Sequence, residues 1–413
     1  MMKNFDIEEL FSEAEAALVP VFREIDAVSE KRTRDIIDAF RSEGMSEACL
    51  YPTSGYGYGD KGRETLDRVY ATVFGTEAAI VRHSIANGTH ALTIGLFALL
   101  RTGDKMLSVT GSPYDTLEEV IGKRGEAGVG SLRDFGVEYD EIELTDNKID
   151  YASLEKKLAE ADNIKVVYAQ RSRGYSDRRA LTVDELDELA DFVHARCGAY
   201  VVVDNCYGEF TELREPKADL FIGSLIKNPG GGLAMSGGYF AGTAKAVELA
   251  SYRMTAPGIG AEVGATLGQN RLMIQGFFMA PHAVAASKKT AALAAYVFEK
   301  LGYEVSPRWN EHRSDIIESL KLGSPEKLCA FCRGIQYGSP IDSFVTPEPW
   351  DMPGYADPVI MAAGTFVSGA SIELSADGPI RPPYIAFMQG GLTYESGKYG
   401  IRCAVEELSS VCD

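Results

Sequence analysis

From residue 76 to residue 242, short apolar runs alternate with amphipathic stretches at helical spacing. That rhythm restricts the chain to an α/β fold with a mostly parallel sheet covered by helices, because parallel neighbours need long crossover connections. The candidate strands are residues 78–81, 105–109, 137–142, 165–169, 200–203, 219–222 and 238–241, which makes the sheet seven-stranded. Helix starts are written between them. Thr182 with Glu185 three residues on forms a capping box ahead of Leu186, Leu189 and Val193, and Asp150 caps a helix carrying Leu154 and Leu158.

Outside this block the pattern changes. Two helices are expected at the start, over residues 7–19 and 24–40, and an alanine-rich helix over 281–301 bridges to a smaller C-terminal part. Proline-rich stretches 340–358 and 379–383 read as loops. The expected organisation is an N-terminal helical segment (1–47), a large ligand-binding domain (48–285) and a small α+β domain (286–413). A length of 413 residues suffices for each domain to bury a core.

A net charge of −19 disfavours attachment to nucleic acid or to an anionic membrane surface, so the ligand should be small. The acidic N-terminus lacks the basic-then-apolar order of a secretory signal, and the longest apolar run, residues 91–100, is too short to span a bilayer. The expectation is a soluble cytoplasmic protein. Seven scattered cysteines do not read as a disulfide framework. Cys329 and Cys332 form a C-x-x-C without a second pair, and the five histidines show no metal spacing, so no metal site is expected.

The chemistry-bearing residues fall where strands end. Asp204 closes the run Val201-Val202-Val203, at the carboxyl edge where open α/β sheets bind ligands; it would equally cap the next turn. Ser224-Leu225-Ile226-Lys227 follows the next candidate strand and precedes the flexible glycine cluster Gly230-Gly231-Gly232. A lysine so flanked suits Schiff-base chemistry with an aldehyde, or is an ordinary surface cation. Asn87-Gly88-Thr89 opens a helix and offers free amides to a phosphate, or caps the helix and nothing more. Tyr114 follows the strand at 105–109, where its ring is placed to stack on a flat cofactor. Arg171, Arg173, Arg178 and Arg179 form the densest basic cluster, fit either for an anion or for pairing with Asp177 and Asp184. The string Gly57 to Gly62 matches G-x-G-x-x-G, but no apolar strand precedes it and its tyrosines would crowd a pyrophosphate. A mobile aromatic loop presenting Tyr56 and Tyr58 is the better account.

In this order the residues resemble the pyridoxal-phosphate enzymes of the aspartate-aminotransferase fold (fold type I), and among them the cystathionine and methionine γ-lyase group. The strings Ser54-Gly55-Tyr56-Gly57-Tyr58-Gly59-Asp60-Lys61-Gly62-Arg63 and Gln389-Gly390-Gly391-Leu392-Thr393-Tyr394 resemble, more narrowly, the methionine γ-lyase-like or aluminium-resistance family. The resemblance implies pyridoxal 5′-phosphate held by a Schiff base to Lys227, with Asp204 on the pyridine nitrogen and Tyr114 over the ring. Ser224 and the amides at Asn87, Gly88 and Thr89 would hold the phosphate. Tyr56 or Tyr58 would reach the phosphate of a neighbouring subunit, in a homodimer or homotetramer with shared active sites. Where relatives place an asparagine for the phenolic oxygen this chain has Ser172 and Arg173. Arg381, then Arg402, are the candidates for the substrate carboxylate, with Arg173 a third. The implied activity is carbon–sulfur lysis of a methionine-, cystathionine- or cysteine-type amino acid by β- or γ-elimination, giving a ketoacid, ammonia and a thiol. An aminotransferase, an aldolase, or a cofactor-bearing protein with a regulatory or metal-tolerance role remain alternatives.

Overall fold

The computed structural model describes residues 6–352 and 355–411. The large unit begins with helices α1 (Ile7–Ser42) and α2 (Lys61–Phe74), then strand β1 (Ala78–Arg82), α3 (Gly88–Leu99), β2 (Lys105–Ser108) and α4 (Asp115–Ile121). It continues with β3 (Glu138–Glu141), α5 (Tyr151–Glu160), β4 (Ile164–Gln170), α6 (Val183–His194) and β5 (Tyr200–Asp204). Strands β6 (Leu220–Ser224) and β7 (Gly238–Gly242) and helix α7 (Ala244–Met254) complete it. After helix α8 (Asn270–Lys300) come β8 (Glu304–Ser306), β9 (Ile317–Lys321), α9 (Pro325–Tyr337), β10 (Val359–Ala362), β11 (Ser375–Pro379), β12 (Ile385–Gln389) and α10 (Tyr394–Val411).

The seven expected strands form one sheet in the order β1-β7-β6-β5-β4-β2-β3. Only β7 runs against its neighbours, so β1, separated from β6 by two antiparallel pairings, points the same way as the parallel set. The chain therefore delivers the ends of β1, β2, β4, β5 and β6 to one edge. Helix α3, mostly buried along its length, fills the space under β6, where Gly95 lets the helix approach the Ile222 side chain. The capping box at Thr182 and the Asp150 cap are both formed.

A second sheet, β10-β11-β12-β9-β8, is antiparallel throughout. Helices α8 and α9 cover one of its faces, and α10 packs on α9. Two expectations about helices are corrected here. The N-terminal pair is a single helix: Pro20 is exposed, so its missing N–H faces water while packing of α1 along α8 holds both halves. The alanine-rich helix starts at Asn270 rather than Pro281, which lies buried inside it. Met273, Phe277 and Val284 of α8 belong to the core under the large sheet, whereas Leu293, Val297 and Phe298 belong to the core of the second sheet. Helix α1 repeats this division, with Ile36 in the first core and Leu10, Phe11 and Leu18 in the second. The two sheets are thus held together by paired long helices.

Candidate active site

The cavity between the carboxyl edge of the large sheet and the second sheet measures about 290 Å³ and gathers Asn87, Gly88, Thr89, Tyr114, Ser172, Asp204, Ser224 and Lys227 on its walls. Asn87 caps α3 by accepting the His90 amide at 2.8 Å. The first intrahelical bond runs from the Ala91 amide to the Asn87 carbonyl at 3.0 Å, so the Gly88 and Thr89 amides stand at the positive end of the helix without an intrahelical acceptor. Facing them, the Ser224 hydroxyl is buried and has no hydrogen-bond partner, a cost that a bound anion would relieve. Gly88 makes the approach close: a Cβ there would sit 3.5 Å from both the Ser224 Cβ and the Cys206 sulfur.

Asp204 ends β5 buried, with one oxygen accepting the Cys206 amide at 3.1 Å. Lys227 follows β6, and its ammonium lies 4.1 Å from the centre of the Tyr207 ring. Tyr207 is held at φ +70°, a strained conformation for a residue with a bulky side chain, and this turns its ring under the lysine. Burial opposes the charge on Lys227, but Cys206, Tyr207 and Asp204 outweigh it and push its pKa up. Burial pushes the Cys206 thiol up as well. The glycine cluster beyond Lys227 is packed rather than flexible. Gly230 and Gly231 meet α8 at Gly276, where a Cβ would come within 2.2 Å of the Gly230 carbonyl. This contact fixes the turn that carries the lysine.

Tyr114 donates its amide to the Gln170 side chain at 2.8 Å, and its hydroxyl shares a hydrogen bond with the Tyr355 hydroxyl. Tyr175 meets the Tyr114 ring edge-on with centroids 5.9 Å apart. Burial raises the Tyr114 hydroxyl well above the ordinary phenol range and pushes Tyr355 up to about 12. Both therefore hold their protons near neutral pH. Ser172 reaches the wall but donates to Asp315 at 2.8 Å.

Other expected residues are not brought to this cavity. Tyr56 and Tyr58 stack on each other at 5.4 Å on the surface, 71% and 67% exposed. Their loop is tied down, since Arg63 donates to the carbonyls of Gly57 and Gly264. Arg173 is buried away from the cavity and donates to Ser319 at 2.7 Å and Ser306 at 3.3 Å. Its neighbours in sequence are also structural: Arg171 pairs with Glu212 and Glu215, Arg178 with backbone carbonyls, and Arg179 with Glu185. Arg381 pairs with Asp357 at 3.0 Å, and Arg402 with Glu8 at 2.6 Å and Glu406 at 3.2 Å. Neither lines the cavity, and each is paired with an acidic neighbour. Among the described residues, Lys227 is the one cationic side chain on the cavity wall. Among the described residues no cluster of three metal-ligating side chains occurs, and Cys329 and Cys332 lie on α9 as free thiols.

Sequence reasoning missed Cys206, Tyr207, Gln170, Tyr175, Tyr355, Asp377 and Gln389, all on the cavity wall. The first three adjoin strand ends already singled out, and that position was their available signal. Tyr355 and Asp377 arrive by folding of the second unit, which no local pattern announces.

Comparison with known proteins places the chain in a family. The methionine gamma-lyase family model matches residues 7–409. The uncharacterized protein YnbB of Bacillus subtilis (strain 168) is 50% identical over 401 residues, covering 96% of this chain and 95% of its own. A crystal structure of a carbon-sulfur lyase involved in aluminum resistance from Clostridium novyi NT is 49% identical, with a TM-score of 0.92 over 96% of this chain and 94% of that one. One of a proposed cystathionine beta-lyase involved in aluminum resistance from Listeria innocua is 48% identical, with a TM-score of 0.94 over 98% and 99%.

Proposed function

The chain belongs to the methionine gamma-lyase family, and from that premise we propose that it is a pyridoxal-phosphate-dependent carbon–sulfur lyase acting on a sulfur amino acid. The observation that carries the reading is the placing of the Lys227 ammonium in one cavity with the Asp204 carboxylate, the unpartnered Ser224 hydroxyl and the open end of α3. Those groups fit the cofactor: an anion site of amides and a hydroxyl, a carboxylate for a protonated ring nitrogen, and an amine for its aldehyde. The fold is that of fold type I pyridoxal-phosphate enzymes. Bound there, pyridoxal phosphate supplies an electron-accepting ring that weakens bonds at the carbon bearing the substrate amine.

The residues then divide the work. Gly88, Thr89 and Ser224 would hold the cofactor's phosphate, Asp204 would keep a proton on its ring nitrogen, and Tyr114 would stack on its ring. The Lys227 amine would serve as the base that takes the proton from Cα. The Tyr114 and Tyr355 hydroxyls, protonated and in contact with each other, would deliver a proton to the departing sulfur. The bond broken joins that sulfur to Cβ or Cγ, and the products are a ketoacid, ammonia and a thiol. The proposal includes a homo-oligomer in which Tyr56 and Tyr58 reach a neighbouring subunit, and a cytoplasmic setting. Among the described residues, no helix is long and apolar enough to cross a membrane.

The test is reconstitution with pyridoxal phosphate, borohydride reduction and peptide mapping. Covalent cofactor on Lys227 is expected, and none on Lys227→Ala. Cofactor that fails to bind, or that maps to another lysine, overturns the reading.

A further inference from the structure

The second-sheet wall of the cavity carries a carboxylate that the proposed chemistry leaves unused. Asp377 stands on β11, 9% exposed, and lines the cavity. Its Oδ2 accepts from the Gln389 side chain at 3.4 Å, the Tyr175 hydroxyl stands near the carboxylate as a further donor, and its buried Oδ1 has no partner in strict hydrogen-bond range. No salt bridge reaches it among the described residues, and the wall around it is polar: Ser375 lines the cavity beside it and Gln389 donates to the Ser375 hydroxyl at 3.0 Å. A buried carboxylate without a cationic partner is costly, and a group that supplied a positive charge there would be held strongly. Lys227, the one cation on the cavity wall among the described residues, belongs to the large-sheet side and is committed to the cofactor in the proposed function. An anionic substrate tail directed at this wall would instead meet an unscreened like charge.

We propose that Asp377 selects the substrate side chain, receiving an ammonium group beyond the sulfur, so that the lyase works on thioether amino acids with a cationic tail rather than on those ending in an alkyl group. The inference rests on the proposed function and names the substrate class of that same site. Cystathionine, whose tail carries an ammonium beside a carboxylate, meets the class through that ammonium, a thioether ending in an ammonium alone meets it more fully, and methionine falls outside it. The four tyrosines around the cavity, Tyr114, Tyr175, Tyr207 and Tyr355, feel the Asp377 charge and supply hydroxyls and ring faces, both of which suit an ammonium.

The experiment compares isosteric pairs that differ only by –NH3⁺ against –CH3. The reconstituted enzyme is given S-(2-aminoethyl)-L-cysteine and S-propyl-L-cysteine, and L-ornithine and L-norleucine are titrated calorimetrically as non-cleaved ligands. Wild type is expected to favour the cationic member of each pair by about tenfold or more, Asp377→Asn to lose the preference, and Asp377→Glu to keep most of it. Equal binding of ornithine and norleucine to wild type, or an unchanged ratio in Asp377→Asn, overturns the assignment. Should Asp377→Asn not fold, the ratios in wild type and Asp377→Glu decide. Failure to cleave either thioether would count against the lyase reading alone, because the ornithine and norleucine titration reports on Asp377 without turnover.

Discussion

The two walls of the cavity are built differently. The large-sheet wall presents its groups from the ends of parallel strands and the start of α3, each within a few residues of a β-strand terminus. Its polar atoms wait for a cofactor: open amides, an unpartnered hydroxyl, a carboxylate and a lysine. The second-sheet wall presents Asp377 and Gln389 from mid-strand and strand-end positions of an antiparallel sheet, with Tyr355 on a loop. On the proposed function the contrast separates cofactor from substrate: one wall would be general to the chemistry, and the other would decide what the chemistry is applied to.

Substitutions on the first wall should therefore reduce rate for every substrate. Asp204→Asn keeps the shape and removes the charge, and is expected to lower kcat about 10- to 100-fold across an amino-acid panel, the usual worth of a hydrogen bond to a charged group. A loss confined to cationic substrates would blur the distinction between the walls.

On the second wall, Asp377 links specificity to stability. Burial pushes its carboxyl from the ordinary 3.8 up to about 6, against hydrogen bonds from Tyr175 and Gln389 that lower it. Between those pH values the folded chain binds a proton that the unfolded chain has released. Stability should fall as pH rises through that window and stay lower above it, by about 3 kcal/mol from this group. Asp377→Asn should be more stable than wild type at pH 7 and nearly matched at pH 4, as read from urea midpoints. A variant less stable at pH 7 would mean that the contacts of Asp377 with Tyr175 and Gln389 outweigh the cost of burying its charge.

The hydroxyl pair at the junction of the walls gives a smaller effect. Tyr114→Phe and Tyr355→Phe should each slow turnover about tenfold, and the double variant should lose little more, because both changes remove one shared hydrogen bond. Full additivity in kcat would show that the hydroxyls act separately. Smallest of all, Arg402→Ala breaks exposed pairs with Glu8 and Glu406 and should shift stability by less than about 1 kcal/mol and kcat/KM by less than about threefold. A rise in KM of a hundredfold would restore it as a substrate ligand.

The same contrast explains what was legible in the sequence. Strand ends in a βα alternation are readable because apolar runs and helix starts are local signals, and so Asp204, Ser224, Lys227 and Asn87 to Thr89 are legible in the sequence. The seven strands were found for the same reason. Pro20 and Pro281 misled because a proline is compatible with a helix interior when packing on a neighbouring helix compensates the lost bond, and that neighbour is remote in sequence. Arg381 and Arg402 were chosen by residue type, yet their partners Asp357 and Glu8 lie 24 and 394 positions away. Asp377 carries no local signal, because Ser375-Ala376-Asp377-Gly378-Pro379 lacks the apolar alternation of a strand, and only pairing with β10 and β12 makes it one with a carboxylate facing the cavity.

The account's central claim is that Lys227 and its cavity cleave a carbon–sulfur bond, and product stoichiometry tests it most directly. Reconstituted wild type incubated with L-cystathionine and the two S-substituted cysteines should release ketoacid, ammonia and thiol in equal amounts, and Lys227→Ala should release none. Transfer of the amino group to an added ketoacid without thiol, or equal product from Lys227→Ala, would contradict it.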